Sequence, residues 1–394
     1  MEGFEEDWRF TCNYSLGIYG VAPDIFMNTT LVTGKSVIAG SPRSILLIQL
    51  GDIGDVVLTL PCVRAMREAY PHARINVVAW DKAAELLEDC PWLDQVIAVT
   101  KRSRSFLGEL RFQVVFFRSL RRLQCDLAID LRTGTRGAIM AFLSGASQRV
   151  GFYAEDGKLW RNRLFTGLLK REYIPGMHVA DYLLCLLEAF GITTEQRTPM
   201  LAVADDKLEK IRILFEGEGV PQDKKIVAVQ PFSLWQYKEW GRDKYIALIQ
   251  WLKEEYGVAV LVTGSAAEKE RAEEIVRCCD TGCYNFAGKT SIAMYAALLK
   301  QCQLFIGVDS AGLHIAAAVG TPTVGIFGPS SPESWAPRGG QHLIVQKKMP
   351  CVPCRQKGCN NSEQSRCLDE LTLEEVRSRI DSHLRINPAI TLFL

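Results

Sequence analysis

Two aspartates and two glycines alternate in "LGDIGDVV", which carries Asp52 and Asp55 between Leu50 and Val57. A carboxylate held over a cleft can take a proton from a hydroxyl and so act as a general base. Aspartate is also a favoured helix N-cap, worth ~1 kcal/mol, and one aspartate suffices for that task. The residue types alone leave both readings open. Gly51 and Gly54 permit a sharp turn and a close approach to a ligand. The Gly-x-Gly-x-x-Gly spacing of a dinucleotide site is not met. A second segment, "FIGVDSAGLHIAAAVGTPTVGIFGPSSPESWAPRG", spans Phe305 to Gly339. Here an apolar run ends at Asp309, the small residues Ser310, Ala311 and Gly312 turn the chain, and a helical pattern begins. Free N–H groups at such a helix start suit phosphate. Asp309 suits hydroxyls instead. Phosphate on one side and hydroxyls on the other describe a nucleotide sugar.

These residues need elements that bring them together. "ILLIQL", Ile45 to Leu50, is a continuous apolar run, as expected of a strand buried on both faces. "DVVLTLPCVRAMREAYP" follows with Val56, Leu60, Val63 and Met66 at helical spacing, which predicts one helix starting near Asp55 and closed by Pro71. "RINVVAW", "AAELLEDC", "QVIAV" and "CDLAIDL" continue the alternation, and "HVADYLLCLLEAFGI" is a long amphipathic helix ending at Gly191. Such a rhythm predicts a parallel sheet with right-handed crossovers. The polar stretch 192–206 reads as a domain boundary. After it "KIVAVQP", "KYIALIQWLKEEYG", "VAVLVTG", "EKERAEEIVRCC", "SIAMYAALLKQC" and "LFIGV" repeat the alternation. The expected fold class is α/β, with two Rossmann-like, doubly wound domains facing a central cleft. The expected domains are 43–200 and 205–380, with a leader at 1–42 whose role the residues do not reveal. Ligands of open α/β sheets bind at the carboxyl ends of the strands, hence in that cleft.

The bulk numbers exclude several classes. The chain has 394 residues, 48% hydrophobic and 23% charged, and a net charge of +1, so it is neither disordered nor a polyanion binder by bulk charge. There is no apolar stretch of membrane-spanning length, and "MEGFEEDWRF" lacks the order of a signal peptide. The thirteen cysteines, an odd number, then read as reduced thiols, and the expected location is the cytoplasm.

With these motifs in view, the chain resembles glycosyltransferase family 9, the heptosyltransferases of bacterial lipopolysaccharide synthesis. The resemblance runs from Ile45 to about Val376. It rests on "LGDIGDVVLTLP", "CDLAIDLRTGTRG", "RVGF" at Arg149–Phe152, "VAVQPFSLWQYKEWGRDKY", "LVTGSAAEKERAEEI" and "VDSAGLHIAAAVGTPTVGIFGP". It implies the GT-B fold and transfer of heptose from ADP-heptose to an inner-core acceptor with inversion. By resemblance Asp55 is the catalytic base. Ser233 and Lys238 match contacts to the donor's phosphates, and Lys238 would offset charge on the departing pyrophosphate. Asp309 matches the residue that holds the sugar hydroxyls, Ser310, Ala311 and Gly312 match the phosphate turn, and Gly264 and Glu268 fall where the family holds the nucleoside. The family often has glycine where Ala311 stands, and the methyl group narrows that approach. No Asp-x-Asp pair occurs in the chain, so transfer is expected to need no metal cofactor.

Other signals carry two readings each. His314 is expected to orient the phosphate turn from behind, and His178 to cap or pack. Residues 101–150 hold ten Lys/Arg against three Asp/Glu, including Lys101, Arg102, Arg104, Arg111, Arg118, Arg121 and Arg122. These form either a solvated face or an attraction to an anionic acceptor and the inner face of the cytoplasmic membrane; "FLGELRFQVVFFRSLRRL" is amphipathic and favours the latter. Arg132 and Arg136 are the expected direct acceptor contacts. No recognised nucleic-acid motif accompanies the charge. "CVPCRQKGCNNSEQSRC" gathers Cys351, Cys354, Cys359 and Cys367, which reads as a structural zinc or iron site, as packed thiols, or as a labile disulfide. A different donor, or a protein or other glycan acceptor, would leave the cleft motifs unchanged. A non-enzymatic nucleotide-sugar binder would need no base, and an epimerase no acceptor.

Overall fold

The computed structural model describes residues 29–35, 37–100, 106–155, 159–172, 174–387 and 390. Two sheets carry the molecule. The first holds β1 (Thr29–Thr33), β2 (Ser44–Gln49), β3 (Arg74–Trp80), β4 (Gln95–Val99), β5 (Leu127–Asp130), β6 (Gln148–Phe152) and β7 (Gly167–Arg171), in the order β1-β7-β6-β5-β2-β3-β4. The second holds β8 (Ile226–Gln230), β9 (Ala259–Val262), β10 (Cys283–Asn285), β11 (Leu304–Val308), β12 (Thr323–Phe327) and β13 (His342–Gln346), in the order β10-β9-β8-β11-β12-β13. Neighbouring strands are parallel except that β1 runs antiparallel to β7.

The apolar run that opens the pattern is buried at all six positions of β2. Ile45 and Leu47 join one apolar cluster with Leu60, Val63, Met66, Leu184 and Leu187. Leu46 and Ile48 join another with Phe116, Leu120, Ala138 and Met140. Helices thus cover both faces of the strand, which is why its sequence does not alternate. Each such side chain contributes roughly 1.5–3 kcal/mol by leaving water.

In each sheet the strand order reverses at one seam: between β2 and β5 in the first, between β8 and β11 in the second. Loops leaving adjacent strands there diverge to opposite faces and open a crevice. Asp55 and Arg132 follow β2 and β5, while Lys238 and Asp309 follow β8 and β11. The first apolar cluster extends without a break into the second sheet, reaching Ile211, Leu298, Phe305 and Leu313. The helix Ile53–Leu58 packs on the helix Ala311–Ala318, so the two crevices are apposed.

Two local expectations are corrected. Part of the leader is not an appendage, since Thr29–Thr33 is the edge strand β1 of the first sheet. The helix expected from about Asp55 is two helices, Ile53–Leu58 and Leu60–Ala69. Pro61, in the first turn of the second, lacks the N–H that would continue the first, and Thr59 ends one and begins the other.

Candidate active site

The turn after β2 is held from below by Gln49. Its buried amide donates to Thr59 Oγ1 at 2.7 Å and accepts from Gly51 N–H at 3.2 Å. Asp52 is the N-cap of the helix Ile53–Leu58, and Asp55 sits at its third position. The Asp55 Oδ2 accepts from Asp52 N–H at 3.0 Å, so this carboxylate completes a capping box. The same oxygen accepts from Arg132 Nη1 at 2.8 Å. Capping and a site role therefore coexist in one residue. Burial pushes the Asp55 carboxyl above its ordinary value, and the Arg132 guanidinium only partly offsets this. A Cβ on Gly51 would lie 2.5 Å from both Arg132 Nη1 and Asp55 Oδ2, which is the physical reason for glycine there.

Arg132 is itself positioned. Its N–H donates to Asp130 Oδ1 at 3.1 Å, and its carbonyl accepts from Arg161 Nη2 at 3.2 Å. Asp130 and Arg161 are buried, with Arg161 Nη2 3.5 Å from Asp130 Oδ2. Burial pushes the Asp130 carboxyl up to about 7 against the pull of Arg161. Arg136, in the first turn of the helix Thr135–Leu143, places its guanidinium 4.9 Å over the Trp80 ring, and Trp80 Nε1 donates to Leu50 O at 2.9 Å.

On the facing side Lys238 Nζ lies 2.7 Å from Asp309 Oδ2. Burial pushes the Asp309 carboxyl up, but chiefly the Lys238 ammonium brings it below its ordinary value. Ser310 is the N-cap of the helix Ala311–Ala318, and its buried Oγ has no hydrogen-bond partner among the described residues. Ser233 N–H donates to Glu239 Oε1 at 3.0 Å and its Oγ accepts from Trp235 N–H at 3.2 Å, which shapes the loop leading to Lys238. His314 is buried and held neutral, burial lowering its affinity for a proton. A Cβ on Gly54 would come 3.1 Å from its Cδ2. His314 is thus one contact through which the turn carrying Asp55 meets the helix that follows Asp309.

With that geometry in place, similarity to known proteins decides the class. The model of "Glycosyltransferase family 9 (heptosyltransferase)" matches residues 114–364, more than half of the chain. The chain belongs to glycosyltransferase family 9. It is 29% identical over 288 residues to lipopolysaccharide heptosyltransferase 3 of Escherichia coli K12, covering 72% of this chain and 82% of that protein. A family 9 glycosyl transferase from Veillonella parvula superposes with a TM-score of 0.77 at 20% identity, over 90% of this chain and all of the other (100%). E. coli ADP-heptose lps heptosyltransferase II does so with a TM-score of 0.71 at 23% identity, over 87% and 99%. The two-sheet architecture is accordingly GT-B, and the family 9 protein is a glycosyltransferase.

Within this glycosyltransferase the remaining expected residues divide. Gly312 is packed inward: a Cβ there would lie 1.9 Å from Gln230 Oε1. Ala311 opens the helix beside it, half-buried. Glu268 closes a capping box on Ser265, accepting its N–H at 2.6 Å, and Gly264 leaves room for that carboxylate. His178 caps the helix Val179–Glu188 through Nδ1 and donates from Nε2 to Ala336 O at 3.1 Å, so the capping expectation holds. Lys101, Arg102 and Arg104 lie outside the described residues.

The four cysteines of the expected metal site lie between β13 and the end of the helix Arg366–Asp369. Among the described residues no three His, Cys, Asp or Glu side chains form a group that could hold a metal ion. Cys351 and Cys359 are exposed, and Cys359 Sγ accepts the Arg366 N–H at 3.4 Å. The buried Cys367 thiol is pushed up to about 11, first by burial and then by Cys354. Cys354 and Cys359 both act on the Cys367 thiol, so these three share one neighbourhood. Sequence reasoning missed Asp130, Arg161 and Trp80. Asp130 left a faint signal, an acid closing the apolar run "LAID"; Arg161 left none.

Proposed function

We propose that this enzyme transfers heptose from ADP-heptose to an anionic lipopolysaccharide inner-core acceptor in one inverting displacement that needs no metal cofactor. The observation that carries this reading is the apposition of Asp55 and Arg132, at the seam of one sheet, to Lys238 and Asp309, at the seam of the other. The names of two similar proteins, a lipopolysaccharide heptosyltransferase 3 and an ADP-heptose lps heptosyltransferase II, support donor and acceptor class.

Asp55 takes the proton of the acceptor hydroxyl, and its raised proton affinity suits that task. The hydroxyl oxygen forms a bond to the anomeric carbon as the bond from that carbon to the phosphate oxygen breaks. The electron pair leaves with ADP, whose charge Lys238 and the start of the helix Ala311–Ala318 offset. Asp309, freed from Lys238 as the diphosphate draws the ammonium, accepts from sugar hydroxyls. Ser233, Ser310, Ala311 and Gly312 line the phosphates, Gly264 and Glu268 the nucleoside. Arg132 and Arg136 meet the acceptor's anionic groups. His314 keeps the two turns in register. The reading places the enzyme in the cytoplasm, peripheral to the inner membrane face.

Mass spectrometry of products from purified enzyme, ADP-heptose and truncated core acceptors tests the reaction. A product one heptose heavier is expected, formed equally in EDTA. Release of free heptose with no acceptor adduct, or loss of transfer in EDTA, would refute it.

A further inference from the structure

One surface of the first sheet's helical layer is unlike the rest. The helix Phe106–Arg122 turns Phe116 and Leu120 inward against the sheet. Its opposite stripe exposes Val114 at 40% and Val115 at 57%, interleaved with the exposed Arg111, Arg118, Arg121 and Arg122. None of these four arginines has an ion-pair partner among the described residues. Glu109 is the single acid of the helix; it accepts from Gln113 Nε2 and acts on Arg136. The same surface continues onto neighbouring elements. The helix packs on Thr135–Leu143, and the Arg121 guanidinium lies 3.0 Å from where Gly145, just beyond that second helix, would carry a Cβ. There Phe142 is 48% exposed, and on the adjoining 3-10 turn Leu159–Leu164 Trp160 is 50% exposed beside the exposed Arg163.

Four exposed apolar side chains among arginines with no ion-pair partner among the described residues ask for a partner that is apolar and anionic at once. A polyanion such as RNA would satisfy the arginines and leave valine, phenylalanine and tryptophan in water. A second copy docking through this face on a two-fold axis would set arginines against arginines. An anionic bilayer satisfies both sets: guanidinium groups at the phosphates, Trp160 and Phe142 at headgroup depth, valines at the acyl boundary. The position also fits. The helix Phe106–Arg122 begins at the cleft end of the sheet, where Glu109 approaches Arg136, and runs away from it.

We infer that the face formed by Phe106–Arg122, Phe142 and Trp160 docks the enzyme on an anionic lipid surface with the acceptor side of the cleft at the membrane. This rests on the proposed lipid-borne acceptor, but its test does not need transfer to occur. The full chain is floated with vesicles of phosphatidylcholine alone and of phosphatidylcholine mixed with phosphatidylglycerol, at low and high salt. Binding is expected with the mixed vesicles at low salt and to weaken in high salt. The variant Arg118→Gln/Arg121→Gln/Arg122→Gln should lose about fivefold in partitioning per arginine removed. Val115→Asn/Trp160→Ser should weaken binding at both salt concentrations. Transfer to a short soluble acceptor should be unchanged in both variants, and transfer to an acceptor lipid held in vesicles should fall. Absence of flotation by the wild type, equal partitioning of both variants, a dimer split by Val115→Asn, or displacement of the vesicles by RNA with the valine and tryptophan variant unaffected would each overturn the inference. Flotation without transfer to any acceptor would instead refute the proposed reaction and leave the docking face standing.

Discussion

Asp55 serves two masters, the N–H of Asp52 and the guanidinium of Arg132. Removing its charge while keeping its shape isolates the chemistry from the capping. Asp55→Asn is expected to lower kcat by about 10²–10⁴, with donor KM little changed, in steady-state assays. The base must be ionised to act, and burial raises its proton affinity above the ordinary value of 3.8. The rate should therefore fall as pH drops through a limb lying above that value. Arg132 opposes the shift, so Arg132→Gln should move this limb to higher pH and raise acceptor KM. A limb that stays in place in that variant would show that the pair does not set the base's ionisation. Gly51→Ala belongs at this scale too: its methyl group would occupy the space of the ion pair, so turnover should fall while the fold stays intact.

At the scale of elements, the end of β5 is braced by the 3-10 turn Leu159–Leu164. Arg161 on that turn donates to Phe152 O at 2.9 Å and to Arg132 O, and it faces the Asp130 carboxylate. The helix Thr135–Leu143 can close over this pair because Gly137 has no Cβ, which would lie 2.5 Å from Asp130 Oδ1. Removing one partner strands the other's charge away from water. Asp130→Asn is expected to cost about 3–5 kcal/mol at pH 8, where the Asp130 carboxyl is ionised, measured by urea unfolding. Asp130→Leu/Arg161→Met should recover most of that stability but not turnover, since nothing then holds the Arg132 backbone. Full recovery of turnover would mean that the brace is unnecessary to the site.

At the scale of the molecule, the two sheets are joined by shared apolar packing and by few polar links. Leu201 N–H donates to Ala318 O at 2.8 Å, Arg338 pairs with Asp181, and His178 reaches Ala336 O. Burial, aided by Arg338, holds His178 down to about 4 from an ordinary 6.5. The unfolded chain takes up this proton near 6.5 while the folded chain refuses it until about 4. Stability is thus complete above the higher value and lost as pH falls towards the lower, by about 3 kcal/mol. Asn at 178 can still cap the helix. His178→Asn should therefore flatten the stability profile between those two pH values in thermal melts, and an unchanged slope would remove His178 as its source.

The chain's own order of residues determined a good deal. The uninterrupted apolar β2 announced a strand covered on both faces, because alternation is needed only where one face meets water. The repeated strand and helix patterns announced two parallel sheets, since parallel strands need crossovers. "GDIGD" and "VDSAG" stood out because each places an acid and small residues where an apolar run stops. Only the tertiary structure decided the rest. β1 lies against β7, about 140 residues downstream, and nothing local to Thr29–Thr33 names that partner. Arg161 sits in "KLWRNRL", where no local pattern marks one arginine for burial, yet it is buried because β5 and β6 deliver an acid and a carbonyl to it. Arg132 reaches Asp55 across 77 positions of sequence because the strand order reverses between β2 and β5. Periodicity and turn chemistry are properties of neighbours along the chain, so the sequence displays them. Which loops share a crevice depends on strand order, which side-chain packing settles only when the whole core closes.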